Sequence, residues 1–382
     1  MFSELDSYLD SFLLKGTPGY DCIVYHKGEP IYRRFAGFSD YENGIPMKGN
    51  ELFNMYSCSK IMTVTAAMML WEEGKFRLSD KLSDYLPEFS EMLVNDNGTV
   101  RRAERPILVE DLFTMTAGFD YEHDAEEYKD FARETKGVCK TSDFPKYIAR
   151  RPLLFEPGKE WNYSFCHDVL AAFIERITGE RFGNFVKRRI FDPCKMTHST
   201  FWLDPSRLEE VSAQYRFDES GVRRRISKQI IFYKFGTEFE SGGAGCISTA
   251  EDCLLFLEAL RKGELIKPET IDLMTYDRIE HRRGSMWIQD YGYGLGLKCA
   301  RPGIPTAIYG WGGAAGADMV IDKAHDITLV YTQHVLRSPV APLKTKLIFL
   351  VQKLLGYKPD GVVCRPAVPN KNAVDKAKSF GQ

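Results

Sequence analysis

The chain has 382 residues, and its 51 Lys and Arg residues nearly balance 53 Asp and Glu residues, which leaves a formal net charge of −2. This balance argues against a strongly basic nucleic-acid-binding protein and against an acidic disordered chain. Apolar residues make up 44% of the sequence and charged residues 27%, as in ordinary globular proteins with a large core. The length corresponds to two or three domains.

The first residues show no basic stretch followed by an apolar one, so no secretory signal is predicted. No run of about 18 apolar residues occurs, so no membrane-spanning helix is expected. The nine cysteines are odd in number and scattered, and none form a C-x-x-C pair, which favours reduced thiols. We therefore expect a cytoplasmic protein, whose oligomeric state the sequence does not reveal.

In chain order, hydrophobic spacing first predicts a helix over residues 2–14 and then a hairpin with strands at 21–26 and 31–35. A long apolar stretch without Gly or Pro predicts a buried helix over residues 61–73. Further helices are expected over residues 109–115, 128–135, 168–178, 252–261 and 343–355, and further strands over 291–298, 319–322 and 327–333.

Strands near both ends of the chain, with helices between them, predict an α/β fold. We expect an antiparallel sheet that is built from both chain ends and flanked by helices, with an inserted, mainly helical lobe. The predicted sheet domain comprises residues 1–75 and 241–357, and the helical lobe comprises residues 76–240. Residues 358–382 carry prolines and charges without apolar periodicity and are predicted to be a C-terminal tail.

Ser57 and Lys60 lie three residues apart where the buried helix begins, so their side chains are expected to share a helix face. A serine hydroxyl is a poor nucleophile until a base takes its proton, and a buried lysine amine that stays partly neutral can be that base. Unpaired N–H groups at the start of a helix can also donate to an oxyanion. The Ser-x-x-Lys spacing occurs among catalytic signatures, although a helix-capping serine with a surface lysine has the same spacing.

Five segments resemble, in order, the motifs of the serine β-lactamase and penicillin-binding-protein superfamily. They are residues 53–60 (Phe-Asn-Met-Tyr-Ser-Cys-Ser-Lys), 111–118, 155–164, 241–252 and 309–314 (Tyr-Gly-Trp-Gly-Gly-Ala). The similarity extends from about residue 19 to about residue 332, and it is greatest to class C β-lactamases and the related esterases. This resemblance implies a β-lactamase/transpeptidase-like fold and an acyl-enzyme intermediate.

In this resemblance, Tyr163 takes the tyrosine position of the family's Tyr-x-Asn motif, where it would relay a proton. Phe165 takes the asparagine position and cannot make the asparagine's hydrogen bonds. The family's third motif is normally Lys-Thr-Gly or a His variant, but here Trp311, Gly312 and Gly313 stand in its place. The lost lysine would pair with the carboxylate of a β-lactam or D-Ala-D-Ala substrate. These two departures are similar to the variant motifs of the esterase-type members. The resemblance implies that Phe165, Trp311, Gly312, Gly313 and Ala314 contact the substrate.

The same resemblance places Ala314 where its backbone N–H, together with that of Ser57, would form the oxyanion hole.

Cys58 is a less favourable nucleophile than Ser57, because adjacent helical residues point about 100° apart and a buried thiol is expected there. The sequence contains no Gly-x-Ser-x-Gly elbow and no His-Glu-x-x-His motif, so neither an α/β-hydrolase site nor a metal or other cofactor is predicted. The adjacent residues Cys166, His167 and Asp168 cannot face one another as a triad.

The sequence therefore predicts a serine hydrolase that is acylated on Ser57 and acts on small carboxylic esters. A β-lactamase, or a peptidase or amidase of the D-Ala-D-Ala type, is an alternative activity. A degenerate family member that only binds ligands is a second alternative. The expected partner is a small-molecule ester, amide or lactam, with neither a nucleic acid nor a membrane as a partner.

Overall fold

The computed structural model describes residues 1–228, 235–280, 291–300 and 307–357. The strands are β1 (Gly19–His26), β2 (Glu29–Asp40), β3 (Ile45–Pro46), β4 (Phe53–Asn54), β5 (Leu93–Asp96), β6 (Thr99–Arg102), β7 (Gln214–Phe217), β8 (Arg223–Ile226), β9 (Ile247–Ser248), β10 (Gly292–Tyr293), β11 (Lys298–Cys299), β12 (Ile308–Gly312), β13 (Asp318–Asp322), β14 (Ile327–Thr332) and β15 (Val335–Leu336). The helices are α1 (Ser3–Leu14), α2 (Ser59–Glu72), α3 (Val109–Thr114), α4 (Glu126–Glu134), α5 (Pro145–Ile148), α6 (Cys166–Thr178), α7 (Phe182–Val186), α8 (Ala250–Arg261), α9 (Pro268–Met274), α10 (Ala341–Lys344) and α11 (Leu347–Leu354).

Among the described residues, the central sheet contains eight antiparallel strands in the order β10-β11-β12-β13-β14-β1-β2-β3. Strand β1 lies between β2 and β14, so that Ile23 pairs with Arg33 on one side and with Val330 on the other. Strands from distant parts of the chain therefore lie side by side, which confirms the predicted fold class. The residue limits assigned to the sheet domain and to the helical lobe stay a prediction.

Both faces of the sheet are covered. Side chains alternate along β1, so that Cys22 and Val24 belong to the core shared with α1 and α11, whereas Ile23 belongs to the core shared with α2 and α8. This burial on both faces explains why β1, β13 and β14 are rich in apolar residues at consecutive positions. The sheet is thus the middle layer between two layers of helices.

Helix α2 is buried from Ser59 to Leu70, as the uninterrupted apolar stretch predicted. The segment of residues 241–248 covers its first turns: the backbone N–H of Cys246 donates to Ser59 Oγ over 2.9 Å, and Thr63 Oγ1 donates to the carbonyl of Gly242 over 2.6 Å. A helix that is apolar on all sides needs such cover. None of the helices in the described ranges is long and apolar enough to cross a bilayer.

Two predicted elements are interrupted. The helix expected over residues 343–355 consists of α10 and α11, and the strand expected over 291–298 consists of β10 and β11 with a turn between them. Gly296 adopts a φ of +83° in this turn, and the N–H of Gly294 donates to the carbonyl of Leu297. A Cβ atom at Gly294 would lie 1.9 Å from the carbonyl oxygen of Met274, so the turn requires glycine there.

We predict that Gly294→Ala lowers the free energy of unfolding by about 2–3 kcal/mol, because the added Cβ atom overlaps backbone atoms that cannot move freely. Gly98→Ala is the matched control, since a Cβ atom at Gly98 would meet nothing within 4 Å and strain arises only from its φ of +92°. We expect a cost of about 1 kcal/mol for the control. Urea denaturation measures both values, and equal costs would contradict the packing described here.

Candidate active site

Ser57 lies in a 3-10 turn, Tyr56–Cys58, directly before helix α2. The chain enters this turn from β4, which pairs with β9, and the backbone N–H of Met55 donates to the carbonyl of Cys246 over 2.9 Å. Tyr56 has a φ of +48°, an uncommon backbone conformation for a residue other than glycine. Its buried hydroxyl donates to Gln214 Oε1 over 2.8 Å and so helps to hold this conformation. The turn leaves Ser57 half-buried between two buried neighbours.

Lys60 is completely buried, although a lysine side chain is seldom found without contact to water. Its Nζ atom donates to the carbonyl of Gly243 over 2.7 Å and to Ser57 Oγ over 3.5 Å. The same atom lies 4.6 Å from the ring centroid of Tyr163 and 5.5 Å from that of Tyr121. A carbonyl and two aromatic faces thus replace the water that the amine loses.

Tyr163 also contacts Ser57, and its hydroxyl donates to Ser57 Oγ over 2.5 Å. Its ring stacks on Trp311 with an interplanar angle of 15° and a centroid distance of 5.9 Å. Tyr121 packs edge-on against Tyr163 at 5.2 Å. The structure therefore brings together Ser57, Lys60 and Tyr163, which the sequence predicted as a group. It adds Tyr121, for which the sequence offered no local signal.

The third predicted segment lies at the end of β12. A Cβ atom at Gly313 would lie 2.4 Å from the carbonyl oxygen of Met55, so glycine allows this segment to approach the turn that carries Ser57. The N–H of Gly313 donates to the carbonyl of Ala317, and Ala314 is exposed at the tip of the turn. The backbone N–H groups of Ser57 and Ala314 enter no backbone hydrogen bond among the described residues.

Gly312 lies next to Lys344 and Asp318, since a Cβ atom on it would lie 3.1 Å from Lys344 Nζ and 3.2 Å from Asp318 Oδ1. Phe165 is fully buried, and its ring centroid lies 4.7 Å from that of Tyr121, so it packs behind the ring that contacts Tyr163. Further aromatic rings surround it, namely those of Tyr128, Phe144 and Phe235. Contacts of Phe165 and Gly312 with a substrate stay a prediction.

The other nucleophile and base candidates near Ser57 are buried and neutral. Burial raises the pKa of the Cys58 thiol well above its usual value, so the thiolate does not form near neutral pH. Burial, together with the charge of Lys60, lowers the pKa of His167 to about 3, so its imidazole stays uncharged. In the described part of the chain, no group of three or more His, Cys, Asp or Glu side chains is arranged to hold a metal ion.

Comparison with known proteins identifies the family of this chain. The family model described as Beta-lactamase matches residues 5–353. Protein Rv1367c of Mycobacterium tuberculosis is 30% identical over 354 residues, which cover 84% of this chain and 86% of that protein. Esterase EstB of Burkholderia gladioli is 28% identical over 357 residues, which cover 86% of this chain and 89% of the esterase.

The solved structure of EstCE1, a hydrolase with promiscuous acyltransferase activity, superposes with a TM-score of 0.72. The match covers 90% of this chain and 98% of EstCE1 at 24% identity, which establishes a shared fold. With the family model spanning nearly all of the described residues, the chain belongs to the Beta-lactamase family of serine hydrolases.

Proposed function

We propose that this chain is a carboxylesterase that forms an acyl-enzyme on Ser57 and hydrolyses small, uncharged esters. The observation that carries the proposal is the placement of Ser57 Oγ between the Tyr163 hydroxyl at 2.5 Å and the Lys60 amine at 3.5 Å. A nucleophile and its base within hydrogen-bond reach are the geometric requirement for covalent catalysis. Ser57 is only half-buried at the head of α2, and the proposal requires that an ester reach its hydroxyl from this exposed side.

In the proposed acylation, Ser57 Oγ forms a bond to the ester's carbonyl carbon, and the Ser57 proton passes to the neutral amine of Lys60 with Tyr163 as the relay. The carbonyl oxygen becomes an oxyanion, which the backbone N–H groups of Ser57 and Ala314 would stabilise. The bond between the carbonyl carbon and the alkoxy oxygen then breaks. The proton returns through Tyr163 to the leaving alcohol, which regenerates the neutral amine.

In the proposed deacylation, a water molecule attacks the acyl carbon and gives one proton to the Lys60–Tyr163 pair. The bond between Ser57 Oγ and the acyl carbon then breaks, and the same proton returns to Ser57. The products are a carboxylic acid and the free enzyme. One proton-carrying pair thus serves both half-reactions in opposite directions.

The preference for uncharged substrates is inferred from Trp311. Its side chain stacks on Tyr163. In the β-lactamases and peptidases that this sequence resembles, a lysine that pairs with the substrate carboxylate stands at this place. An indole ring offers an apolar face and no positive charge. EstB is an esterase and EstCE1 is a hydrolase, which supports ester chemistry for this chain. A cytoplasmic location is part of the proposal, and the eight described cysteines are free and buried.

Replacing Ser57 by Ala is expected to lower kcat for p-nitrophenyl butyrate by about 10⁴-fold or more, because the acyl-enzyme can no longer form. Cys58→Ala is the matched control and should stay within a few-fold of the wild type, since its buried thiol is protonated. A fluorophosphonate probe, read by intact mass, should label the wild type and the Cys58 variant but leave the Ser57 variant unlabelled. Loss of labelling in the Cys58→Ala variant would refute Ser57 as the nucleophile. A wild type that forms no adduct would favour the ligand-binding alternative.

Replacing Tyr163 by Phe removes the hydroxyl next to Ser57 and keeps the ring that contacts Lys60 and Trp311. We expect kcat to fall by about 10²- to 10³-fold with little change in KM, as for the loss of a proton-relay group. Tyr293→Phe is the control, because the buried Tyr293 hydroxyl has no hydrogen-bond partner among the described residues while its ring also packs on Trp311. Steady-state kinetics compare the two variants, and equal losses would remove the relay from the mechanism.

Replacing Trp311 by Lys should shift the preference between two esters. We expect the wild type to hydrolyse p-nitrophenyl butyrate faster than the p-nitrophenyl ester of succinic acid, which carries a free carboxylate. The lysine should change the ratio of their kcat/KM values by about tenfold towards the charged ester, equal to about 1.4 kcal/mol. Trp311→Met, which removes the ring without adding charge, should leave this ratio unchanged. Faster turnover of a chromogenic cephalosporin than of either ester by the wild type would favour a β-lactamase instead.

A further inference from the structure

Asp168 is a buried carboxylate that the proposed chemistry leaves unused. It lies in the first turn of α6 and is completely shielded from solvent. Its Oδ1 atom accepts hydrogen bonds from the Ser241 hydroxyl and, over 3.3 Å, from the backbone N–H of Gly243. Its Oδ2 atom is equally buried and accepts no hydrogen bond from a described residue. A buried carboxylate in this state is costly unless a positive charge lies nearby.

Gly243 connects this carboxylate to Lys60. Its carbonyl accepts from Lys60 Nζ over 2.7 Å, while its N–H donates to Asp168 Oδ1. A Cβ atom at Gly243 would lie 2.5 Å from Asp168 Oδ2 and 3.3 Å from Lys60 Nζ. The bare carboxylate oxygen and the amine nitrogen therefore face the same side of residue 243, and only glycine leaves the space between them open.

Other titratable groups surround this pair. Those that face it are Cys58, Tyr121, Tyr128, Tyr163, Cys166 and His167. Burial raises the pKa of Tyr121, of Tyr128 and, to about 12, of Cys166, and it lowers the pKa of His167 to about 3. Burial also raises the pKa of Asp168, and the positive charge of Lys60 is the largest influence that opposes this.

We propose that Asp168 is a positioning residue whose carboxylate stabilises the ammonium that Lys60 becomes when it takes up the Ser57 proton. In this step the O–H bond of Ser57 breaks and an N–H bond forms on Lys60, while Asp168 neither gains nor loses a proton. A carboxylate that stabilises the cation formed on a catalytic base is an established device in serine hydrolases with a histidine base. Here the cation is a lysine, and Gly243 holds both partners. The inference rests on the proposed function.

Asp168→Asn tests the proposal, because it keeps the size of the side chain and an oxygen that can accept from Ser241 and Gly243, but removes the charge. We expect kcat for p-nitrophenyl butyrate to fall by about 10- to 100-fold, with KM nearly unchanged. The midpoint on the acidic side of the kcat/KM profile should also move to lower pH. Without the negative charge of the carboxylate, the cationic form of the proton-carrying pair, which cannot take up the Ser57 proton, is less stable.

Ser241→Ala is the matched control, since it removes a hydrogen bond to Asp168 Oδ1 and leaves the charge in place. It should lower kcat only a few-fold and leave the acidic midpoint unmoved. An unmoved midpoint in Asp168→Asn, or equal effects of the two variants, would reduce Asp168 to a structural residue and overturn the proposal.

If Asp168→Asn does not accumulate as folded protein, Gly243→Ala provides the second measurement. Its Cβ atom would separate the carboxylate from the amine, so kcat should fall and the acidic midpoint should again move to lower pH. An unmoved midpoint in that variant would overturn the proposal. If the wild type is active but the acidic midpoints of the variants do not move, only the inference about Asp168 is refuted. A wild type without Ser57-dependent ester turnover refutes the proposed function and, with it, the role of Asp168.

Discussion

The complete burial of the Lys60 side chain is the constraint on which the site depends. An amine without contact to water needs partners from the protein, above all when it takes up a proton, because a buried ammonium costs several kcal/mol after relaxation. The carbonyl of Gly243 accepts a hydrogen bond from the amine, which is worth about 1.5–3 kcal/mol once the donor is charged. The rings of Tyr163 and Tyr121 stabilise the charged form by about 0.5–2 kcal/mol each. These partners come from three separate parts of the chain, so the site exists only when the whole fold is assembled.

Close backbone approach is the second requirement, and glycine meets it at three positions around the turn that carries Ser57. Gly242 contacts the carbonyl of His167, Gly243 lies between Lys60 and Asp168, and Gly313 meets the carbonyl of Met55. At each of these positions a Cβ atom would lie 2.5 Å or less from an oxygen atom. These glycines are therefore explained by lack of space rather than by an unusual φ angle. They allow the helix α2, the segment of residues 241–248 and the end of β12 to converge on one hydroxyl group.

Those parts of the structure that depend on local spacing could be predicted from the sequence. The burial of α2 follows from an apolar stretch without Gly or Pro, and the shared face of Ser57 and Lys60 follows from their separation of three residues. The position of Tyr163 beside Ser57 could be predicted only from the resemblance of the surrounding segment to a known motif. The two residues are 106 positions apart, and no periodicity relates them.

The contacts that the sequence did not predict are those made by single residues across long separations. Asp168 was excluded as part of a triad with Cys166 and His167, and that exclusion agrees with the structure, yet its contact with Gly243 spans 75 positions. Tyr121 follows α3 in a segment without helical or strand periodicity, so no pattern in the sequence indicates the contact of its ring with Lys60. The interruption between β10 and β11 depends on the carbonyl of Met274, which only the folded structure brings next to Gly294.

The central claim is that the hydroxyl of Ser57 carries the acyl group during turnover. Rapid mixing of the wild type with a p-nitrophenyl ester, acid quenching within one turnover and peptide mapping by mass spectrometry test this claim directly. The account predicts one acyl group per chain, located on Ser57 within the peptide that also contains Tyr56 and Cys58. Turnover without a covalent adduct, or an acyl group on any other side chain, would contradict it.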